Sequence, residues 1–155
     1  MLARDLSRRS GRTSLTYRDF FGIVSHELPA LLPPDLRDYQ SARQGRVHKV
    51  FFEDRRHHYE LWFRDGGLEI AYHLEGPAEQ NEPVVELLRR RLAALRRSLG
   101  GDVRLEPFGA GWTHLFELWP GVSRDQDEAP EVAARLAEFV RQLEPMLRAD
   151  QRPSR

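Results

Sequence analysis

The sequence predicts an α+β fold, a two-layer sandwich with helices on one face of a five-stranded, mostly antiparallel sheet. Two observations predict it. Residues 47–52, 57–74 and 102–119 read as one strand and two hairpins, while three other segments carry apolar residues at helical spacing. Hairpins grouped apart from helices are typical of antiparallel sheets with the helices on one side. We expect the element order α-β-β-β-α-β-β-α.

The composition of the chain limits the classes of protein to which it can belong. Its 155 residues suffice for one domain with a buried core, and its 24 basic and 24 acidic residues cancel, so no global field attracts nucleic acid or an anionic membrane. It has no cysteine, which excludes thiol catalysis, disulfides and thiolate metal sites. Because no segment approaches membrane-spanning length, we expect a soluble, cytoplasmic protein without a membrane partner.

The two ends of the chain are predicted to lie outside the domain. Residues 1–13 carry four arginines against one acidic residue, which favours a flexible basic arm. Residues 14–149 are expected to form a single α+β domain. Residues 150–155 are expected to be a flexible tail.

The first helix is predicted to begin after Thr16. The pair Thr16 and Asp19 resembles a capping box, in which a hydroxyl and a carboxylate satisfy the first free amides of a helix. Apolar residues follow at helical spacing as far as Leu28. Pro29 is expected to end or bend this helix.

Two further helices are predicted from their boundaries. Asn81 is expected to be the N-cap of the second, which should stop at Gly100. The third should begin near Asp127, with this residue or a neighbour as its cap. Pro145 is expected to break or bend the third helix near its end.

The stretch 57–74 predicts the central hairpin, with a pair of glycines at its turn. One side of the hairpin is aromatic and aliphatic, and the other is ionic. If the glycine pair is the turn, Glu60 lies opposite His73; if the turn is one residue earlier, His58 lies opposite His73. We expect the first register because it sets residues of opposite charge across from each other. In both registers the ionic side faces solvent or a partner.

Two imidazoles and two carboxylates share one patch on the ionic side of this hairpin. Nitrogen and oxygen donors of this kind suit zinc. The alternative is cross-strand ion pairing on a solvated face, and the helical His-Glu-x-x-His motif is missing. These metal-binding candidates are His58, Glu60, His73 and Glu75.

The sequence contains no recognisable catalytic set. It has no Gly-x-Ser-x-Gly nucleophile elbow and no phosphate-binding Gly-x-x-x-x-Gly-Lys loop. We therefore expect no catalytic residues and no cofactor.

A basic face of the second helix is a candidate nucleic-acid-binding surface. Arginines there could neutralise phosphates, or they could simply be solvated. They are Arg89, Arg90, Arg96 and Arg97.

The tryptophans are candidate partner-binding residues. Exposed aromatic side chains on sheet faces mark protein contact sites. The candidates are Trp62, Trp112 and Trp119.

Three parts of the chain resemble a known family: Tyr59–Phe63 with Leu68–Glu75, the helix with Leu87–Leu88 and Leu99–Gly100, and Val103–Glu106 with His114–Glu117. They resemble a domain of unknown function that is often appended to restriction-endonuclease-like proteins. The resemblance implies nucleic-acid-associated work and a carboxylate–metal nuclease core that includes a lysine. In such a core the lysine stands two residues after an acidic residue. Here that position holds Ala71 after Glu69 and Trp119 after Glu117, so the lysine is missing. Nuclease activity is therefore not expected.

The predicted order of elements is also similar to that of the small dimeric chaperones of bacterial type III secretion. These chaperones hold a partner peptide on an open surface of sheet and helix, so the similarity implies a protein-binding role.

A complete apolar scaffold without a catalytic set predicts a non-catalytic accessory or protein-interaction domain. We expect it to associate with itself or with another protein. The alternative is a nucleic-acid-associated, nuclease-like domain with a degenerate, metal-binding active site.

Overall fold

The structure, a computed structural model, describes residues 14–151. The basic arm predicted over 1–13 lies outside the described residues, as do residues 152–155 of the predicted tail. Three helices and a short 3₁₀ turn at Pro34–Leu36 are present in the described part. The helices are α1 (Tyr17–Leu31), α2 (Ala78–Leu99) and α3 (Glu128–Asp150).

All six strands of the described residues form one antiparallel sheet in the spatial order β1-β2-β3-β4-β6-β5. This confirms the α+β class, although the sequence predicted five strands. The strands are β1 (Gln40–Gln44), β2 (Val47–Phe51), β3 (His57–Arg64), β4 (Gly67–Leu74), β5 (Arg104–Phe108) and β6 (Trp112–Trp119).

The additional strand, β1, has no alternation of apolar and polar residues, and four of its five residues are exposed. It pairs with β2 across a tight turn in which Gly45 has a φ of 56°. A strand at the edge of a sheet needs no apolar face to be held by main-chain hydrogen bonds. Periodicity could therefore not reveal β1.

The apolar side of the β3–β4 hairpin faces the helices, as the alternation predicted. Leu61 from β3, Ile70 from β4 and Leu115 from β6 are completely buried in one core with residues of all three helices. Helix α1 starts after Thr16, as predicted. The Thr16 hydroxyl accepts a hydrogen bond from the main-chain N–H of Asp19 at 3.0 Å.

The expected register of the β3–β4 hairpin is wrong, because the two turn residues are Asp65 and Gly66 instead of Gly66 and Gly67. Arg64 pairs with Gly67 and His58 pairs with His73, so the turn lies one residue earlier than expected. Gly66 adopts the positive φ of 93° that the turn requires. Gly67 is needed for another reason: a Cβ there would collide with the carbonyl oxygen of Trp119 on β6. The glycine pair thus serves two purposes, only one of which is the turn.

The predicted start of the second helix is also wrong. The helix begins at Ala78, and Asn81 lies inside its first turn, 2% exposed. The Asn81 side chain accepts hydrogen bonds from the Gly76 N–H and His57 Nε2 and donates to the carbonyls of Gly76 and Gly111. It ties α2 to two loops instead of capping the helix.

The boundaries of α3 follow the prediction in part. Asp125, a neighbour of Asp127, accepts hydrogen bonds from the N–H groups of Asp127 and Glu128 at 3.0 and 2.8 Å. Pro145 does not break the helix, which continues to Asp150. Among the described residues, no helix is long and apolar enough to cross a membrane.

Candidate functional site

A compact group of histidines and glutamates lies on the sheet face that points away from the helices, which we call the open face. Alternation along β3, β4 and β6 directs these side chains to one side. The register places His58 opposite His73, and His73 opposite His114, so three histidines form a row across three strands. We refer to the whole group as the histidine–glutamate cluster: His58, Glu60, Glu69, His73, Glu75 and His114.

The cluster is buried although no helix covers it, which corrects the expectation of a solvated ionic face. His58 and His73 are each 1% exposed and Glu69 is 0% exposed. Aromatic rings close around them. The Phe108 ring lies 4.8 Å from that of His73, and the Phe116 ring stacks on that of His114 at 3.9 Å.

The hydrogen bonds of His58 fix which of its nitrogens carries a proton. Its Nδ1 lies 2.9 Å from the carbonyl oxygen of Arg55, which can only accept, so Nδ1 donates. The other nitrogen, Nε2, lies 3.2 Å from Oε1 of Glu60 and 3.5 Å from Oε2 of Glu75. In the neutral ring, the lone pair of Nε2 would therefore face two carboxylates.

His73 contacts carboxylates through both ring nitrogens. Nδ1 lies 2.8 Å from Glu75, and Nε2 lies 2.8 Å from Glu69 and 3.2 Å from Glu60. Burial alone would lower the pKa of His73, but hydrogen bonds to Glu69 and Glu75 and the charge of Glu60 outweigh it and raise the pKa to about 9.

Glu69 is the most deeply buried acid of the cluster. Burial opposes its ionisation, but contacts with His114 and His73 prevail and lower its pKa to about 2. It also accepts a hydrogen bond from Nη1 of Arg64 at 3.2 Å. His114 Nδ1 lies 3.1 Å from Oε1 of Glu69.

The one lysine of the chain lies at the rim of the cluster. Lys49 Nζ is 3.9 Å from an oxygen of Glu60 and 3.9 Å from an oxygen of Glu75. Burial opposes the ionisation of Glu75. The hydrogen bond from His73, followed by the nearby charges of His58, His73 and Lys49, prevails and lowers the pKa of Glu75.

Two overlapping groups of these residues could each hold a metal ion. In each group, one nitrogen or oxygen atom from every residue lies within 4.8 Å of those from the others. The first contains the four residues that the sequence nominated, and the second shares one histidine with it. The groups are His58, Glu60, His73 and Glu75, and Glu69, His73 and His114. Sequence reasoning missed Glu69 and His114 as members, because the pairing of β6 with β4 could not be inferred.

The predicted tryptophan surface is divided between the two faces. Trp112 is the most exposed, at 39%, and its ring packs against Phe108 on the open face. Trp62 is half-buried on the same face with the Arg64 guanidinium 5.3 Å from its ring. Trp119 instead packs against the core, and its Nε1 donates to Glu117 at 3.0 Å.

The predicted arginine face of α2 is partly engaged within the chain. Arg89 pairs with Glu86, and Arg96 Nε donates to the carbonyl of Val103 at 3.0 Å. Arg90 and Arg97 are exposed.

The two edges of the sheet differ in how they are protected. β5 contains Pro107, which has no N–H to offer another strand. β1 contains neither proline nor lysine, and no other described strand lies beyond it. Next to β1, a surface groove of 630 Å³ is lined by residues that include Leu15, Ile23 and Arg43.

No protein-family model matches this chain, and no curated protein matches it either. The two resemblances noted from the sequence therefore stay predictions.

Proposed function

We propose that this chain is a non-catalytic interaction domain that associates with a second copy of itself along the outer edge of β1. The unprotected edge is the observation that carries the proposal. The burial of the histidine–glutamate cluster supports the non-catalytic part, since a substrate could not reach His58, Glu69 or His73 without displacement of the surrounding side chains.

An open edge strand is a template for a further strand. The main-chain N–H and C=O groups of Gln40, Ala42 and Gln44 point towards β2. The main-chain N–H and C=O groups of Ser41 and Arg43 point away from the sheet. Natural sheets usually protect such an edge with proline, charged side chains or a bulge. The one charged residue of β1, Arg43, donates hydrogen bonds to the Arg18 carbonyl and the Ser25 hydroxyl of α1. Because Pro107 blocks the opposite edge, each molecule offers one edge, and pairing through it gives a closed two-fold dimer and not a fibre.

The sequence of β1 is compatible with pairing to itself. Antiparallel pairing centred on Ala42 would place Gln40 opposite Gln44 and Ser41 opposite Arg43 of the second copy. Like charges do not face each other in this arrangement, which favours it over pairings that bring two arginines together.

The groove between α1 and β1 would enlarge the interface. Strand pairing over five residues buries less surface than stable dimers usually do. The groove adds apolar area from Leu15 and Ile23 next to Arg43, so that the second copy would contact both the strand edge and the helix.

Size-exclusion chromatography with light scattering, over a range of protein concentrations, tests this proposal. We expect the wild-type chain and Ser41→Ala to be dimers, because both keep the outward N–H of residue 41. Ser41→Pro removes that donor and should yield a monomer with unchanged circular dichroism. A wild-type chain that stays monomeric at every concentration, or a folded Ser41→Pro dimer, would refute the proposal.

A further inference from the structure

We propose that His58, Glu60, His73 and Glu75 bind one divalent transition-metal ion, and that zinc fits them best. This inference does not depend on self-association, because the four side chains come from β3, β4 and the residue that follows β4 in a single copy.

The spacing of the four side chains fits a small ion. Ligands about 2.0–2.1 Å from a tetrahedral zinc ion lie about 3.3 Å from one another. His58 Nε2 is 3.2 Å from Glu60 Oε1 and 3.5 Å from Glu75 Oε2, and one donor atom from each of the four residues lies within 4.8 Å of the others. The remaining close pair, His73 Nδ1 and Glu75, is 2.8 Å apart, a hydrogen-bond distance that would open slightly around an ion.

The direction of the His58 ring supplies an independent argument. Because Nδ1 donates to the carbonyl of Arg55, Nε2 is free to bind a metal through its lone pair, and this is the orientation that metal-binding histidines commonly adopt. This nitrogen points at the carboxylates of Glu60 and Glu75.

The two histidine rings lie side by side next to these carboxylates. His58 and His73 stack with their centroids 5.4 Å apart and their planes at 24°. A single divalent ion beside the stacked rings would bind both imidazoles and both carboxylates.

Glu69 and His114 would support the site from outside. If His73 binds the ion through Nδ1, its Nε2–H donates to Glu69 at 2.8 Å, the carboxylate–histidine–metal arrangement that fixes ligand orientation. Glu69 is itself held by Arg64. His114 is 4% exposed, and its Nδ1 lies 3.1 Å from Glu69, so a second buried imidazole contacts this supporting carboxylate.

The donor set selects the class of metal. Two imidazoles and two carboxylates are borderline to hard ligands that suit zinc and neighbouring divalent ions, and the absence of cysteine from the chain removes the thiolates that soft ions prefer. Four protein ligands in a buried place describe a closed structural site, without an open position for a substrate.

Metal binding can be measured on the full chain after removal of metal with a chelator. The protein is reloaded with zinc or cobalt, separated from free metal, and analysed for metal by mass spectrometry. We expect one ion per chain and, with cobalt, the intense visible absorption of a four-coordinate site. Competition with a chromophoric chelator gives the affinity.

Matched glutamine variants identify the ligands. Glu75 is the most exposed of the four, at 16% for its side chain, so Glu75→Gln should fold, and we expect its zinc affinity to fall by more than about 100-fold. Glu69→Gln should cost about 10- to 100-fold, as expected for a supporting residue. Glu106→Gln, on the exposed part of β5, should bind as the wild type does.

Two outcomes would overturn the proposal. One is a folded wild-type chain that retains neither zinc nor cobalt after reloading. The other is a folded Glu75→Gln variant that binds zinc as tightly as Glu106→Gln does. Circular dichroism of each variant distinguishes loss of the site from loss of the fold, and light scattering on the same samples keeps the result separate from self-association.

Discussion

Two histidines are buried to the same degree on opposite faces of the sheet, yet their environments favour opposite charge states. His48 lies beneath α1 and His73 lies on the open face, and both are 1% exposed. The His48 ring stacks on Phe21 at 5.4 Å, its Nε2 is 3.5 Å from the Ser25 hydroxyl, and its Nδ1 has no hydrogen-bond partner among the described residues.

The comparison shows that, at equal burial, the partners of a ring decide whether it is charged. Burial and then the charge of Arg43 lower the pKa of His48 to about 4, so the ring is neutral at pH 7. Burial also opposes the charge of His73, but three carboxylates reverse the outcome. Around these two histidines, the helix-covered face is thus stabilised by apolar packing, and the open face by contacts between charged groups.

The largest expected effect follows from removal of the central carboxylate of the open face. Glu69→Leu leaves the Arg64 guanidinium and His73 without their closest buried acceptor, and we expect it to lower the free energy of unfolding by about 3–5 kcal/mol. Denaturant unfolding of the metal-free protein at pH 7 measures it. As a control, Glu106→Leu removes an exposed pair with Arg104 and should cost at most about 1 kcal/mol. Equal costs for the two variants would contradict the comparison.

The pH dependence of His48 gives the next largest effect. Well above pH 6.5 the ring is neutral in both the folded and unfolded chains, so it contributes nothing to the pH dependence there. As the pH falls from 6.5 towards 4, the unfolded chain binds a proton that the folded chain cannot, and the free energy of unfolding falls by about 3 kcal/mol.

The variant His48→Phe isolates this contribution. Phenylalanine keeps a ring against Phe21 and does not titrate, so the difference in unfolding free energy between pH 7 and pH 4.5 should be smaller by about 2 kcal/mol than in the wild type. Parallel pH curves for the two proteins would show that His48 is not held neutral.

The smallest effect is expected one residue along β4 from Glu69, on the helix-covered face. Ile70 is completely buried in the apolar core, and Ile70→Val removes one methylene group. We expect a loss of about 0.5–1.5 kcal/mol that is the same at pH 4.5 and pH 7 and at low and high salt. A loss that changes with salt would mean that the two faces are not stabilised in different ways.

Alternation allowed the faces of the central hairpin to be predicted, because a strand directs successive side chains to opposite sides. It did not give the register, since Gly67 lies after the turn, where a Cβ would also collide with Trp119. That approach depends on the pairing of β4 with β6, which are separated by α2.

The burial of the cluster was beyond sequence reasoning for a similar reason. The rings that close over His73 and His114 belong to Phe108 and Phe116, in the second hairpin. Asn81 shows the same limit: its residue type suits an N-cap, but the tertiary contacts with Gly76 and Gly111 decide its role.

The most direct test of this account is long-range proton–nitrogen NMR of the histidine rings in the metal-free protein at pH 7, because it reports the protonation of each ring nitrogen. We expect His48 to carry one ring proton and His73 to carry two. A doubly protonated His48, or a His73 with a single ring proton, would contradict the claim that the partners of the two buried rings keep His48 neutral and His73 positively charged.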